Sequence, residues 1–164
     1  MNKSYAFLKS VLAGYGLVGL DIVGARKIDD ESFVKKQYEL FDKNYKRFLR
    51  HIATHHVRDL QNMKVIREDI VNMIDGVMPE NATLIFKILP EYGGEANEHN
   101  ILLMPLHPYN DYLIDFFNQQ LSLNHCELPD EYYGIKYEKL VFYPNYFLRA
   151  GTGGAIPERI ENER

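Results

Sequence analysis

Residues 83–89 read TLIFKIL, and residues 100–106 read NILLMPL. Each is a short apolar run, and together they predict two buried strands. They decide the fold class, because almost everything before Pro79 has helical spacing. Helices first and strands later give an α+β chain. The stretch between the runs, EYGGEANEH at 91–99, reads as a flexible loop. Towards the C-terminus, Pro108 suits the first turn of a helix from Tyr109 to about Leu121. Its packing side would be Tyr112, Leu113, Phe116, Phe117 and Leu121. Residues 132–143, YYGIKYEKLVFY, alternate well enough for a third strand.

Before Pro79, a helix is expected from Asp59 to Asp75 with Leu60, Met63, Ile66, Ile70, Met73 and Ile74 inward. Gly76 supplies a left-handed stop, and Pro79 prevents continuation. A longer helix is expected from Glu31 to His56, its start favoured by the negative charge of Asp29, Asp30 and Glu31. Its apolar positions are Val34, Tyr38, Phe41, Tyr45, Phe48, Ile52 and His55, in alternating steps of four and three. That is a heptad-like aromatic seam. A first helix, capped by Ser4, should run to Ala13 with Phe7, Leu8, Val11 and Leu12 inward. Gly14, Gly16, Gly19 and Gly24 then interrupt the pattern. The expected architecture is a half of three helices followed by a small sheet with one packed helix. It forms a single domain over residues 1–149 with an extended tail over 150–164.

A chain of 164 residues with 46% hydrophobic side chains can bury one real core. Cys126 is the sole cysteine, which excludes an internal disulfide and any multi-cysteine zinc site. The N-terminal stretch is apolar for about twenty residues, but Lys9 and Asp21 interrupt it. A charge near a bilayer centre costs ~2.5–3.5 kcal/mol, and the run Val11–Leu20 is too short to span, so no membrane role is expected. Phe, Tyr, Met, Ile, Asn and Lys outnumber Gly, Ala, Arg and Pro nearly two to one. That coding bias fits an A/T-rich genome such as those of many bacterial viruses.

Two motifs carry candidate chemistry. Gly14-x-Gly16-x-x-Gly19 matches a dinucleotide fingerprint by letter. The mechanism needs a preceding strand and a βαβ unit, neither of which the pattern supplies. No cofactor is expected. The second motif is RHIATHH, residues 50–56, which holds three of the six histidines. His51 and His55 share a helix face, as zinc ligands would. A zinc protease motif would place Glu beside the first histidine, where Ile52 stands, and no metal is expected.

Arg50-His51-x-x-x-His55 resembles the short Arg-polar-x-x-x-His signature of HEPN-family ribonucleases, over six residues. The resemblance implies a cleft in which Arg50 stabilises phosphorane charge and His55 moves protons. It also implies an all-helical fold, from which the strands here depart. Otherwise RHIATHH is a helix end, with His55 closing the buried seam and protonated histidines favoured near the last carbonyls.

Charge is unevenly spread. Between Glu31 and Arg58, seven Lys and Arg face three acids, a net of +4, so the remainder carries −8 within the total of −4. Lys36, Lys43, Arg47 and Arg50 form a stripe away from the seam, with Glu39 and Asp42 placed to pair with Lys43 and Lys46 four residues on. The acidic remainder argues against general nucleic-acid binding. The stripe is therefore read as a binding face for a protein partner, another copy or a neighbouring subunit. The expectation is a non-enzymatic interaction or assembly subunit, in its concrete form a small bacteriophage or viral particle protein found in the cytoplasm or virion. The alternatives are the HEPN-like ribonuclease and a host-directed inhibitor that binds one target through the basic helix. The tail has too little apolar content to dock on its own core and is expected to be held by a neighbour.

Overall fold

A computed structural model describes residues 5–121 and 127–143. The element order is α1 (Tyr5–Gly14), β1 (Asp21–Arg26), α2 (Glu31–Lys43), α3 (Tyr45–His55), α4 (Val57–Asn62), α5 (Arg67–Ile74), β2 (Ala82–Phe86), β3 (Ile101–Pro105), α6 (Asp111–Gln120) and β4 (Glu131–Lys136). The fold is α+β, as the two apolar runs require.

Those runs form an antiparallel hairpin, with Leu84 opposite Leu103. β3 is buried on both faces, and its alternation sends residues two ways. Ile101 and Leu103 pack with Phe48, Leu49, Ile52, Leu60 and Met73 from the helices α3 to α5. Leu102 and Met104 pack with Leu8, Leu12, Leu113 and Phe116 from α1 and α6, and with Ile22 and Ile135. The hairpin thus separates two cores. α2 covers its end, where Phe41 and Tyr38 meet the Phe86 ring at centroid distances of 4.7 and 5.6 Å.

Six expectations need correction. The glycine-interrupted stretch after α1 contains a strand, β1, which pairs with β4 rather than with the hairpin. Gly24 belongs to that ladder, opposite Tyr133. The proposed strand 132–143 ends at Lys136. Its remainder runs beside β3 instead, where Leu103 donates to Leu140 and Phe142 donates to Leu103, both at 2.8 Å. The long helix is broken at Asn44, whose φ/ψ of −100/9 leaves the helical region. The helix 59–75 is likewise two pieces, separated around Lys64 at φ 74. Inward positions differ as well. Phe7, Ile66 and Ile74 are exposed.

The sixth correction is the stretch 91–99, which is held closed. The Asn100 side chain accepts from the Ile88 N–H at 2.9 Å and donates to the Ile88 and Glu95 carbonyls at 2.9 and 3.0 Å. Gln37, buried on α2, accepts from the Ala96 N–H at 2.8 Å. Tyr92 is buried and donates to the Pro129 carbonyl at 2.7 Å. Other expectations hold: Gly76 is left-handed at φ 84, and Leu113 and Phe116 are the buried side of α6. The Ser4 cap and the 150–164 tail lie outside the described residues.

The charges that interrupt the N-terminal apolar run meet each other, Lys9 Nζ lying 3.0 Å from Asp21 Oδ1. The Ile22 N–H, with Lys9 and Tyr5, holds the Asp21 carboxyl down at about 2. No helix among the described residues is long and apolar enough to cross a membrane.

A buried cation joins the two strand pairs. Lys87, just after β2, is 5% exposed. Its Nζ donates to the Tyr137 carbonyl at 2.7 Å, and its own carbonyl accepts from the Ile135 N–H of β4 at 2.9 Å. Burial pushes the ammonium down to about 8, against about 10.4 in an unfolded chain. Between those values the unfolded chain holds a proton that the folded chain has released, so stability rises with pH across that window. Denaturant unfolding at about pH 7.5 and pH 9.5 should show a gain on the order of 1–2 kcal/mol that Lys87→Met lacks. Buried tyrosines such as Tyr92, raised to about 12, act in the opposite sense above about pH 10. They are common to both proteins, so the difference is the readout. Equal slopes in the two proteins would mean that Lys87 titrates normally.

Candidate functional site

The basic face is built by α2 and α3. Asp30 starts α2 by accepting from the Phe33 N–H at 3.0 Å, and Glu31 suits the positive end of the helix. The apolar stripe of α3 buries Phe48, Leu49, Ile52 and Ala53, which turns its cations outward. Lys36, Lys43, Arg47 and Arg50 are all exposed. The break at Asn44 divides the expected stripe into two pairs, Lys36 and Lys43 on α2, Arg47 and Arg50 on α3.

None of these four has a carboxylate within ion-pair distance among the described residues, and the expected Glu39–Lys43 and Asp42–Lys46 pairs do not form. Exposed pairs at this spacing contribute only ~0.3–0.5 kcal/mol, too little to hold two long side chains in one geometry. The face therefore keeps its charge.

Two of its cations lean on the neighbouring helix. Arg50 Nε donates to the Ile74 carbonyl at the end of α5, at 2.8 Å. The Lys46 stem covers Gly76, where a Cβ would stand 2.5 Å from Lys46 Cγ. Beside them runs an apolar ridge missed by sequence reasoning: Val71, Ile74 and Val77 are 55%, 44% and 53% exposed. The break around Lys64 resets the helical phase, so Ile74 leaves the inward stripe to which uninterrupted periodicity assigned it. Arg67 lies on the Val71 side of α5, one helical turn earlier, while Glu68, Asn72 and Asp75 follow the next sector.

The three histidines do cluster. The His51 ring lies 4.8 Å from His55 and 5.5 Å from His56. Burial, reinforced by His51, pushes the His56 imidazole below its ordinary value. His55 is exposed and does not close the seam, because Phe48 and Ile52 already fill that side of α3. On a helix, Arg50 and His55 are about 140° apart. Arg50 reaches back to α5, while His55 joins the histidine group. No three His, Cys, Asp or Glu side chains converge to hold a metal among the described residues. His125 and Cys126 lie outside those residues. The glycines of the GxGxxG match lie between a helix and a strand, the reverse of the order that cradles a pyrophosphate.

At the other end of α2 lies an open groove of about 360 Å³. Its charged lining is Asp29, Asp30, Glu31 and Glu91 against Lys27 and Lys35, and Ile28 and Val34 form its apolar floor. Comparison with protein-family models, curated proteins and solved structures finds no match for this chain.

Proposed function

We propose that the chain is a non-enzymatic interaction or assembly subunit that docks on acidic protein surfaces through α2 and α3. The observation that carries this reading is the group of cations Lys36, Lys43 and Arg47, exposed and without an ion-pair partner among the described residues, in a chain whose net charge is −4. An unneutralised basic patch on an acidic protein favours oppositely charged partners and repels the rest. The concrete version is a small component of a bacterial-virus particle, in the cytoplasm or the virion. Coding bias supports it.

The test has two arms. Native mass measurement should find a complex heavier than the monomer at low salt. The complex should dissociate when salt is raised or when Lys43→Glu and Arg47→Glu are combined, since the screening length falls from ~10 Å at 0.1 M to ~3 Å at 1 M. Single-stranded RNA should stay intact at neutral pH. Cleavage abolished by Arg50→Ala and by His55→Ala, in variants that still fold, would establish the ribonuclease reading instead.

A further inference from the structure

We propose that the Val71–Ile74–Val77 ridge, flanked by Lys46 and Arg50, is the docking surface for a second copy of this chain. The second copy enters head to tail with the groove at the start of its α2. This rests on the protein-binding reading above and names the partner.

The ridge has the anatomy of an interface centre. Its three aliphatic side chains are each close to half exposed, Val71 and Ile74 on α5 and Val77 just past the turn at Gly76, with Arg50 on the Ile74 carbonyl and Lys46 over Gly76. Apolar residues surrounded by arginine and lysine are what a protein contact buries. The groove is its complement in both respects: Asp29, Asp30, Glu31 and Glu91 outweigh Lys27 and Lys35 around Ile28 and Val34, which leaves it net negative. No carboxylate of that groove is ion-paired among the described residues. Glu31 opens α2, whereas Lys46 and Arg50 lie on α3, beyond the break at Asn44. Two different patches that complement each other make a heterologous contact, which propagates into chains or closes into a ring. That is the geometry an assembly subunit uses.

The experiment is sedimentation velocity on the full chain, with one variant at each surface. Ile74→Asp places a carboxylate on the ridge, and Asp29→Lys with Glu31→Lys reverses the groove while leaving the Asp30 cap in place. Wild type should form dimers and longer species at low salt and lose them at high salt. Each variant alone should be monomeric. An equimolar mixture of the two should form a heterodimer and nothing longer, because each molecule keeps one good surface. Circular dichroism verifies folding, and Val71→Asp replaces Ile74→Asp if the latter does not fold. Association of the wild type with no dimer in the mixture would place the interface elsewhere and overturn the proposal. Wild type that stays monomeric at every concentration would also overturn it. Docking of a foreign acidic partner on α2 and α3 is then tested separately with polyglutamate, whose binding Lys43→Glu with Arg47→Glu should abolish and Ile74→Asp should leave intact.

Discussion

Phe48→Ala should lower the unfolding free energy by ~3–5 kcal/mol, the sum of lost transfer energy and the cavity left behind. Phe48 is 1% exposed and sits where α3 meets the hairpin and α5, among Leu49, Ile52, Met73, Leu84 and Ile101. Its neighbours are held from several directions, so the site has little freedom to collapse. For a chain of this size the loss corresponds to a melting temperature lower by on the order of 10 °C. Lys43→Ala, on the exposed face of α2, should stay within about 0.5 kcal/mol of wild type. A melt for Phe48→Ala that matches wild type would mean that this side of α3 is not packed inside the monomer.

Gly94→Ala should be as damaging, at ~4 kcal/mol or more, in the tail of single-substitution effects. A Cβ at Gly94 would lie 1.8 Å from the Ile88 carbonyl oxygen and 2.6 Å from its carbon, both backbone atoms that the closed loop holds in place. Relief requires opening the turn in which the Gly94 N–H donates to Leu89 at 3.1 Å, and with it the Asn100 clamp on Ile88. Gly14→Ala is the matched control, because nothing lies within 4 Å of a Cβ there. Equal stability of Gly94→Ala and Gly14→Ala would show that residues 91–99 are not held against the end of β2.

The two surfaces of functional interest were unequally legible. The cations of α2 and α3 stood out because charge is a property of the residue itself, and the heptad-like seam required them to face away from the core. The acids of the groove were equally visible as letters, but only as helix-start residues. Their approach to Glu91 depends on the connection after β2 folding back beside α2, where Tyr38 donates to Glu91 at 2.8 Å. The ridge on α5 was invisible for another reason. Of its residues only Ile74 was read as core, and the break at Lys64 takes it out of that stripe, while Val77 lies past the helix end at Gly76, where periodicity no longer applies.

What the sequence by itself determined is local. Short apolar runs bounded by turn signals made β2 and β3, the spacing of Phe48, Leu49 and Ile52 made one side of α3 a core face, and Gly76 ended a helix where its φ of 84 is allowed. These follow from side-chain period and backbone sterics, which act within a few residues. What only the tertiary structure decided is which surfaces meet. β1 is a strand because β4 lies beside it, with Ile22 opposite Ile135. Residues 137–143 leave the strand pattern because Leu103 offers them backbone partners. The glycine-containing stretch 91–99 is closed because Asn100, at its end, clamps Ile88 and Glu95, and because Gln37 reaches Ala96 from α2. Each of these depends on hydrogen-bonding groups distant in sequence, and no periodicity encodes which of them will be brought within 3 Å.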